Sequence, residues 1–275
     1  EEARTLAGWD GEGLRITPMQ VGVVDLFASA SDHVSISDAW RTRIAPLRDG
    51  SADRGVPPVP SLSSILRPYQ RRGHAWLTAR LSGGIGGILA DDMGLGKTVQ
   101  ILSAVAALRA HAPAGDPSPV LVVAPTSVVG VWIDQARPFT PHLRVRAVTE
   151  TATRRGTTIG EEVADADIVV TSYTLARLEA EQWNQVHLGG VVIDEAQAVK
   201  NPRTATYRAL RDLESPWKLA VSGTPIENSL GDLWSLLSLT CPGLLPPWEA
   251  FQQEVRRPIE NGADPAMLGR LTAYV

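Results

Sequence analysis

The sequence lacks the features typical of secreted and membrane proteins, namely paired cysteines, a long apolar segment and a targeting signal. Its 275 residues contain one cysteine, Cys241, so an internal disulfide is excluded and a reducing compartment is expected. No window approaches the roughly 18 uninterrupted apolar residues that a spanning helix needs. The amino terminus is charged and is followed by no apolar targeting core. We therefore expect a cytoplasmic chain that begins within a longer protein and has no membrane contact.

Metal-ligand clusters and a strong basic charge are also missing. The 5 histidines are scattered, and none pairs with another histidine or with a cysteine at metal-ligand spacing, which argues against a zinc site. The formal net charge is -4, so the surface as a whole does not attract nucleic acid. Any contact with nucleic acid must come from local patches.

Apolar strands alternate with amphipathic helices along residues 61–245. Strands are predicted at 85–90, 120–124, 144–148, 167–172, 190–193 and 218–222. Helices are predicted at 67–81, 97–110 and 230–239, the last with Leu233, Trp234, Leu236 and Leu237 packing inward. This alternation predicts a three-layer α/β domain with a mostly parallel sheet and helices on both faces.

The flanking segments follow a different pattern. Residues 1–60 are predicted to be the tail of an accessory region, with a strand at 21–27, a weak helix at 38–44 and a proline-containing linker at 54–64. Residues 246–275 form a third segment, in which prolines break the α/β rhythm and predict a different packing environment.

The strongest local pattern is a phosphate-binding loop between the first predicted strand and the helix that opens at Lys97. Its residues are Asp91, Asp92, Met93, Gly94, Leu95, Gly96, Lys97 and Thr98. The glycines let the backbone curl so that amide groups and the helix amino terminus face phosphates, while Lys97 neutralises phosphate charge and Thr98 ligates Mg²⁺. Asp91 stands where the general pattern has its first glycine, so an accidental Gly-Lys-Thr helix start is the alternative on spacing alone.

Two acidic residues end the apolar strand at 190–193. In a doubly wound sheet the carboxyl ends of the strands face the ligand crevice, so Asp194 and Glu195 are expected beside the phosphate loop. Asp194 can hold Mg²⁺ through its water shell, and Glu195 can act as the general base for an attacking water. Two solvated loop acids would be the alternative for an isolated pair, and the upstream phosphate loop argues against it.

Four motifs in sequence order resemble the Swi/Snf family of DNA-dependent ATPases. They are Leu-Arg-Pro-Tyr-Gln at 66–70, the phosphate loop at 91–98, Asp-Glu-Ala-Gln at 194–197 with Lys-Asn at 200–201, and Ser-Gly-Thr-Pro-Ile-Glu-Asn at 222–228. The last motif resembles this family more than the DEAD-box RNA helicases, which carry Ser-Ala-Thr there, and Asp-Glu-Ala-Gln resembles the bacterial members. The resemblance covers residues 65–275 and implies a RecA-like P-loop domain that hydrolyses ATP with Mg²⁺.

The resemblance also implies roles around the nucleotide. Gln70 would read the adenine edge, with Tyr69 near the base, and Gln197 would sense the γ-phosphate. Three further residues would couple the nucleotide state to DNA contacts: Ser222, Gly223 and Thr224.

Short polar stretches after two strands match the DNA-backbone motifs of the family. The DNA candidates are Thr126, Ser127, Thr171, Ser172, Lys200 and Arg203. Hydroxyls, cations and helix amino termini bind phosphate oxygens without reading base sequence. Each polar stretch alone is also explained by helix capping.

Other positive and aromatic residues leave the interpretation open. Arg144, Arg146, Arg154 and Arg155 are compatible with a solvated face or with a DNA role. The two tryptophans on helical stretches, Trp132 and Trp183, are predicted to pack in the core.

The expected partners are double-stranded DNA, contacted through its backbone, and a second RecA-like lobe of the same protein. In the family that lobe supplies arginines to the transferred phosphate and half of the DNA track, and residues 246–275 would lead toward it. Two alternatives stay open: the ATPase part of a restriction or nuclease complex, and a non-catalytic nucleotide-binding scaffold. Intact Lys97, Thr98, Asp194 and Glu195 argue against the scaffold.

Overall fold

The computed structural model describes residues 55–112, 118–226 and 229–260, together with the backbone of two short strands. These are β1 (Gly8–Trp9) and β2 (Leu14–Arg15), which pair in antiparallel orientation. The strand predicted at 21–27 and the helix predicted at 38–44 lie outside the described residues.

Six strands form one parallel sheet. They are β3 (Gly87–Leu89), β4 (Val120–Ala124), β5 (Val145–Val148), β6 (Ile168–Ser172), β7 (Gly190–Asp194) and β8 (Lys218–Val221). Their order across the sheet is β3-β8-β7-β4-β6-β5, and each neighbouring pair is parallel. All six predicted strands are confirmed, with ends that differ from the predicted ones by no more than 2 residues.

Helices precede, connect and follow these strands. They are α1 (Pro60–Ser63), α2 (Pro68–Ser82), α3 (Lys97–His111), α4 (Thr126–Phe139), α5 (Ala152–Arg155), α6 (Ile159–Val163), α7 (Tyr173–Leu178), α8 (Ala180–Trp183), α9 (Ala205–Asp212), α10 (Leu230–Thr240), α11 (Trp248–Phe251) and α12 (Arg257–Glu260), with a 3-10 turn at Ala196–Val199 and a π turn at Gln252–Arg256. The predicted helices at 67–81, 97–110 and 230–239 are confirmed as α2, α3 and α10. Among the described helices, none has the length and apolar character that crossing a membrane requires.

The strands are apolar throughout because both faces of the sheet are buried. Along β4, Leu121 and Val123 belong to one hydrophobic core, and Val120, Val122 and Ala124 belong to the other. Helices α2, α3 and α4 contribute to the second core, and helices α6 to α10 contribute to the first. The predicted three-layer α/β fold is thereby confirmed.

The proline-containing segment before α2 packs against that helix. The carbonyl oxygen of Val56 accepts hydrogen bonds from His74 Nε2 at 2.7 Å and from Thr78 Oγ1 at 3.3 Å. Leu62 in α1 is fully buried. Residues 55–64, interpreted from the sequence as a linker, are therefore held against the domain, while the division into 1–60, 61–245 and 246–275 stays a prediction.

The carboxyl-terminal helices change the predicted packing at one residue. Leu233, Leu236 and Leu237 of α10 are buried as expected, but Trp234 is half-buried. Its indole nitrogen donates to Pro246 O at 2.9 Å, and its ring packs edge-on against Trp248 at 5.1 Å. Trp234 thus packs toward the segment after α10, which agrees with a separate packing environment there.

His74 is expected to make the stability of the fold depend on pH. Since Nε2 donates to a carbonyl, Nδ1 of the neutral ring accepts a hydrogen bond from Ser103 Oγ at 2.9 Å. Burial lowers the pKa of His74 below its ordinary value of 6.5. The unfolded chain therefore takes up this proton at a higher pH than the folded chain. The stabilisation is complete above the unfolded pKa and is lost as the pH falls through 6.5 toward the lowered folded value.

Urea unfolding at about pH 7.5 and about pH 5.5 tests this expectation, because the two values bracket the ordinary histidine pKa. The unfolding midpoint of the wild-type chain should fall at the lower pH, and His74→Gln should lose less. His142→Gln, at an exposed position, serves as the control and should behave like wild type. An equal loss in His74→Gln and wild type would remove His74 from this role.

Candidate nucleotide-binding site

Three loops leave the sheet side by side at its carboxyl edge. Strand β8 lies between β3 and β7, and Val221 is in register with Leu89 on one side and with Asp194 on the other. Parallel strands bring their carboxyl ends to the same edge, where α/β proteins bind ligands. The predicted phosphate loop, acid pair and Ser-Gly-Thr-Pro stretch therefore meet at one place.

The phosphate loop depends on two glycines in the left-handed region. Gly94 has φ +84° and Gly96 has φ +76°, a region that side-chain-bearing residues rarely adopt. A Cβ on Gly96 would also lie 2.6 Å from Gln70 Nε2. A side chain at this position would strain the turn into α3 and displace the Gln70 amide.

Lys97 folds back over the loop at the start of α3. Its Nζ donates to Asp91 O at 2.6 Å and to Asp92 O at 3.1 Å. The first amide groups of a helix have no partners within the helix, so the start of α3 presents N–H donors beside this ammonium group. A positive charge and helix-start amides at one place fit phosphate groups.

The loop's departure from the general pattern has a structural explanation. Oδ2 of Asp91 accepts a hydrogen bond from Gln100 Nε2 at 2.8 Å, and Gln100 is fully buried in α3. The Asp91 side chain therefore joins the first residue of the loop to the helix that follows. Sequence reasoning missed Gln100, because nothing in the sequence marks a glutamine in the following helix as the partner of Asp91.

The two residues expected near adenine lie against the loop. Tyr69 OH donates to Leu95 O at 3.2 Å, and Gln70 Nε2 donates to the same oxygen at 3.1 Å. Gln70 Oε1 accepts from Arg67 N at 3.0 Å, which closes a capping box at the start of α2. Both ends of the Gln70 amide are thus engaged by the protein, and its reading of the adenine edge stays a prediction.

Asp194 is held by two hydrogen bonds at the end of β7. Its Oδ2 accepts from Trp132 Nε1 at 2.8 Å, and its Oδ1 accepts from the Glu195 amide at 3.0 Å. The residue is 8% exposed, and this burial raises the pKa of its carboxyl group, as does the charge of Glu195. The Trp132 hydrogen bond and the charge of Lys97 act on that pKa in the opposite direction. Lys97 and Asp194 are therefore electrostatic neighbours.

Glu195 has a backbone conformation that is rare for a residue with a side chain. Its φ is +51°, and among the described residues it is the only non-glycine with a positive φ. Such a conformation costs on the order of 1–3 kcal/mol and is often found at functional sites. Tyr173 OH donates to Asp194 O at 2.6 Å beside this turn, and burial raises the pKa of Tyr173 well above its ordinary value, so the hydroxyl stays a donor.

Hydrogen bonds connect the acid pair to the Ser-Gly-Thr-Pro stretch. Gln197 Nε2 donates to Glu195 Oε2 at 2.6 Å, and Gln197 Oε1 accepts from Ser222 Oγ at 3.1 Å. Ser222 Oγ in turn accepts from the Thr224 amide at 3.1 Å. A Cβ on Gly223 would lie 3.1 Å from Met93 Cγ, so this stretch also adjoins the phosphate loop.

Two of the residues predicted to contact DNA make hydrogen bonds within the protein in this structure. Thr171 is fully buried, and its hydroxyl donates to Val148 O at 2.8 Å inside the sheet. Lys200 has a side chain that is 11% exposed, with Nζ donating to Thr224 O at 2.9 Å and 3.4 Å from Asp232 Oδ2. Lys200 thus belongs to the network of the Ser-Gly-Thr-Pro stretch.

The other DNA candidates differ in how accessible they are. Thr126 and Ser127 are both exposed in the first turn of α4, and Arg203 is exposed before α9. Ser172 is 7% exposed, and its Oγ accepts from the Leu175 amide at the start of α7, which is the capping alternative. Contact of these four residues with DNA stays a prediction.

Most of the arginines whose role the sequence leaves undecided form ion pairs with acidic residues. Arg144 lies 3.3 Å from Asp167, and Arg146 lies 2.8 Å from Asp165. Arg155 has a side chain that is largely buried and lies 3.3 Å from Glu179. These pairs favour a structural role over a DNA track.

Comparisons with known proteins identify the family of the chain. The family model of the SNF2-related domain matches residues 69–273. A putative ATP-dependent helicase/translocase of Bacillus subtilis, YwqA, is 34% identical over 92% of this chain. The ISWI chromatin-remodeling complex ATPase CHR17 of Arabidopsis thaliana is 36% identical over 76% of this chain. Both relatives are longer: the chain spans 27% of the first and 21% of the second.

A solved structure shares the fold. The Sulfolobus solfataricus SWI2/SNF2 ATPase core in complex with dsDNA has a TM-score of 0.67 and 35% sequence identity. The match covers 76% of this chain and 42% of that one. The fold expected for a RecA-like ATPase core is confirmed by this likeness.

Proposed function

The chain belongs to the SNF2-related family, and on that premise we propose that it is the ATP-binding lobe of a motor that moves along double-stranded DNA. The observation that carries the proposal is the register of β3, β8 and β7, which brings a phosphate loop, an acid pair and a polar coupling stretch to one edge of the sheet. A non-catalytic scaffold would have no need for a strained glutamate hydrogen-bonded into that stretch.

The residues present fit Mg²⁺ together with a nucleotide. In the described part of the chain, no cluster of three or more acidic, histidine or cysteine side chains is placed to hold a metal alone. Mg²⁺ is commonly bound through one or two carboxylates plus substrate phosphates and water, so a single carboxylate is sufficient. Asp194 and the Thr98 hydroxyl would hold the ion, which would neutralise phosphate charge.

Different residues of the chain would serve nucleotide binding and nucleotide hydrolysis. Lys97 and the amides at the start of α3 would bind the phosphates, while Tyr69 and Gln70 flank the loop on the side where the base is expected. Glu195 would accept a proton from the attacking water, and Gln197 bonds to its carboxylate. Through Ser222, Gln197 would report the γ-phosphate to the stretch that contains Gly223 and Thr224.

Contacts with DNA are proposed for the polar residues that follow the strands. Thr126 and Ser127 at the start of α4, with Arg203 and Ser172, would bind phosphate oxygens rather than bases. The related Sulfolobus ATPase core, whose structure was solved in complex with dsDNA, supports this assignment. Binding of this kind weakens steeply as the salt concentration rises.

A second RecA-like lobe of the same protein is the proposed partner at the open side of the nucleotide site. The relatives are several times longer than this chain, which supports a larger motor. A motor that uses ATP and DNA would work in the bacterial cytoplasm, at the nucleoid. The Bacillus relative supports a bacterial role, while relatives such as the Arabidopsis ATPase belong to eukaryotes.

Glu195→Gln tests the proposed division between binding and turnover. In a protein that carries both lobes, we expect ATP affinity to stay nearly unchanged, because binding uses the loop and Lys97. Turnover should fall by about 10²- to 10⁴-fold, the usual contribution of a general base. Nucleotide binding by calorimetry and phosphate release with and without duplex DNA measure the two effects.

Glu249→Gln is the matched control, because Glu249 is an exposed acid in α11, a helix that follows the last strand of the sheet and lies outside the four motifs in the sequence. It should change neither affinity nor turnover. If Glu195→Gln hydrolyses ATP at the wild-type rate, Glu195 is not the base. If duplex DNA does not raise the ATP turnover of the wild type or of Glu249→Gln, but single-stranded RNA raises that of the wild type, an RNA helicase is the better interpretation.

A further inference from the structure

Trp132 and Asp194 form a buried hydrogen bond between a helix and a strand of the site. Trp132 is 1% exposed and lies in α4, while Asp194 ends β7. The indole Nε1 donates to Asp194 Oδ2 at 2.8 Å. This contact joins residues 62 positions apart in the sequence. It is a part of the site that the sequence, which predicted only core packing for Trp132, did not indicate.

We propose that Trp132 is a positioning residue that sets the orientation of Asp194 for Mg²⁺. The inference rests on the proposed function, in which Asp194 holds the ion of the nucleotide. Trp132 does not contact the nucleotide in this assignment. It acts through the carboxylate.

The hydrogen bonds on the carboxylate explain why a donor is needed. Each oxygen of Asp194 accepts one protein donor, Oδ1 from the Glu195 amide and Oδ2 from the Trp132 indole. Two donors on opposite oxygens fix the rotation of the carboxylate plane and leave the other lone pairs aimed in set directions. Partners that orient a metal ligand in this way typically contribute about 10- to 100-fold to metal affinity or activity.

A second tryptophan of the chain supplies a matched comparison. Trp183 is also fully buried, but it packs in the core on the opposite face of the sheet. Its indole Nε1 has no hydrogen-bond partner. Phenylalanine at position 183 would therefore remove a similar volume and an indole N–H, but no hydrogen bond to Asp194.

The experiment measures how much Mg²⁺ strengthens nucleotide binding. Calorimetry with a non-hydrolysable ATP analogue, in Mg²⁺ or in EDTA, gives a ratio of affinities for wild type, Trp132→Phe and Trp183→Phe. We expect Trp132→Phe to bind the analogue in EDTA as wild type does, and its Mg²⁺ ratio to fall by about 10- to 100-fold. Trp183→Phe should keep the wild-type ratio.

Three results would distinguish failure of the inference from failure of the proposed function. An unchanged Mg²⁺ ratio in Trp132→Phe, or an equal fall in Trp183→Phe, overturns the role of Trp132. Undiminished analogue binding by Lys97→Ala overturns the proposed nucleotide site itself. If Trp132→Phe fails to fold, benzothienylalanine at position 132 replaces it, since this analogue keeps the ring shape and lacks the N–H donor; an unchanged ratio there also overturns the proposal.

Discussion

Lys97→Ala is expected to abolish measurable Mg-ATP binding. The Lys97 ammonium lies over the phosphate loop, beside the acid pair, and is the basic group that the loop itself contributes. Truncating one partner of a partly buried, hydrogen-bonded charge pair costs on the order of 2–4 kcal/mol, which is about a 30- to 1,000-fold loss of affinity. Titration of the nucleotide by calorimetry measures this loss.

Lys218→Gln is the control for the removal of a lysine charge. Lys218 begins β8, at the opposite edge of the sheet, and donates to Arg211 O at 2.6 Å. Its replacement should leave nucleotide affinity unchanged. Thermal unfolding without nucleotide shows whether either variant has lost its fold. Wild-type affinity in a folded Lys97→Ala protein would mean that the nucleotide binds elsewhere.

Residues 1–275 by themselves are expected to bind ATP but to hydrolyse it slowly, with little response to DNA. Phosphoryl transfer needs positive charge beside the γ-phosphate, and an arginine supplied for this purpose is worth about a thousandfold or more in rate. Lys97 provides part of that charge, and the proposed second lobe would provide the arginines. Joining the second lobe to this chain should therefore raise turnover and restore DNA stimulation together. Phosphate release by both forms, with duplex DNA at low and high salt, measures this.

The same two-lobed protein with Lys97→Ala is the control, and it should show neither property. Vigorous DNA-stimulated hydrolysis by residues 1–275 alone would contradict the two-lobe mechanism. Stimulation that persists unchanged at high salt would contradict a track made of phosphate contacts.

The elements of the fold could be predicted because they depend on short windows of sequence. Each of the six strands is an apolar run bounded by turn residues, and α2, α3 and α10 begin or end at recognisable signals such as Pro68 in the first helical turn. The loop at 91–98 and the acids at 194–195 could be assigned to one site because parallel strands align their carboxyl ends. In the first case the prediction needs only neighbouring residues, and in the second it needs only the parallel direction of the strands.

Pairing between distant side chains could not be predicted, because nothing in the sequence near one partner identifies the other. Trp132 reaches Asp194 across two layers, Gln100 holds Asp91, and Lys200 turns toward Thr224 and Asp232 instead of an exposed surface. The inward orientation of Thr171 could not be predicted for the same reason. The motif places a hydroxyl after a strand, but the pleat of β6 turns it inward to Val148.

At Glu195, whose backbone is left-handed, selection for a stable fold and selection for ATP hydrolysis favour different residues. Glycine and asparagine adopt this conformation with less cost than glutamate does, so a screen that rewards only a stably folded protein would favour them. A screen that rewards ATP turnover would retain glutamate. After laboratory evolution of this domain, the residue found at this position would therefore show whether the selection had been for folding or for ATP hydrolysis.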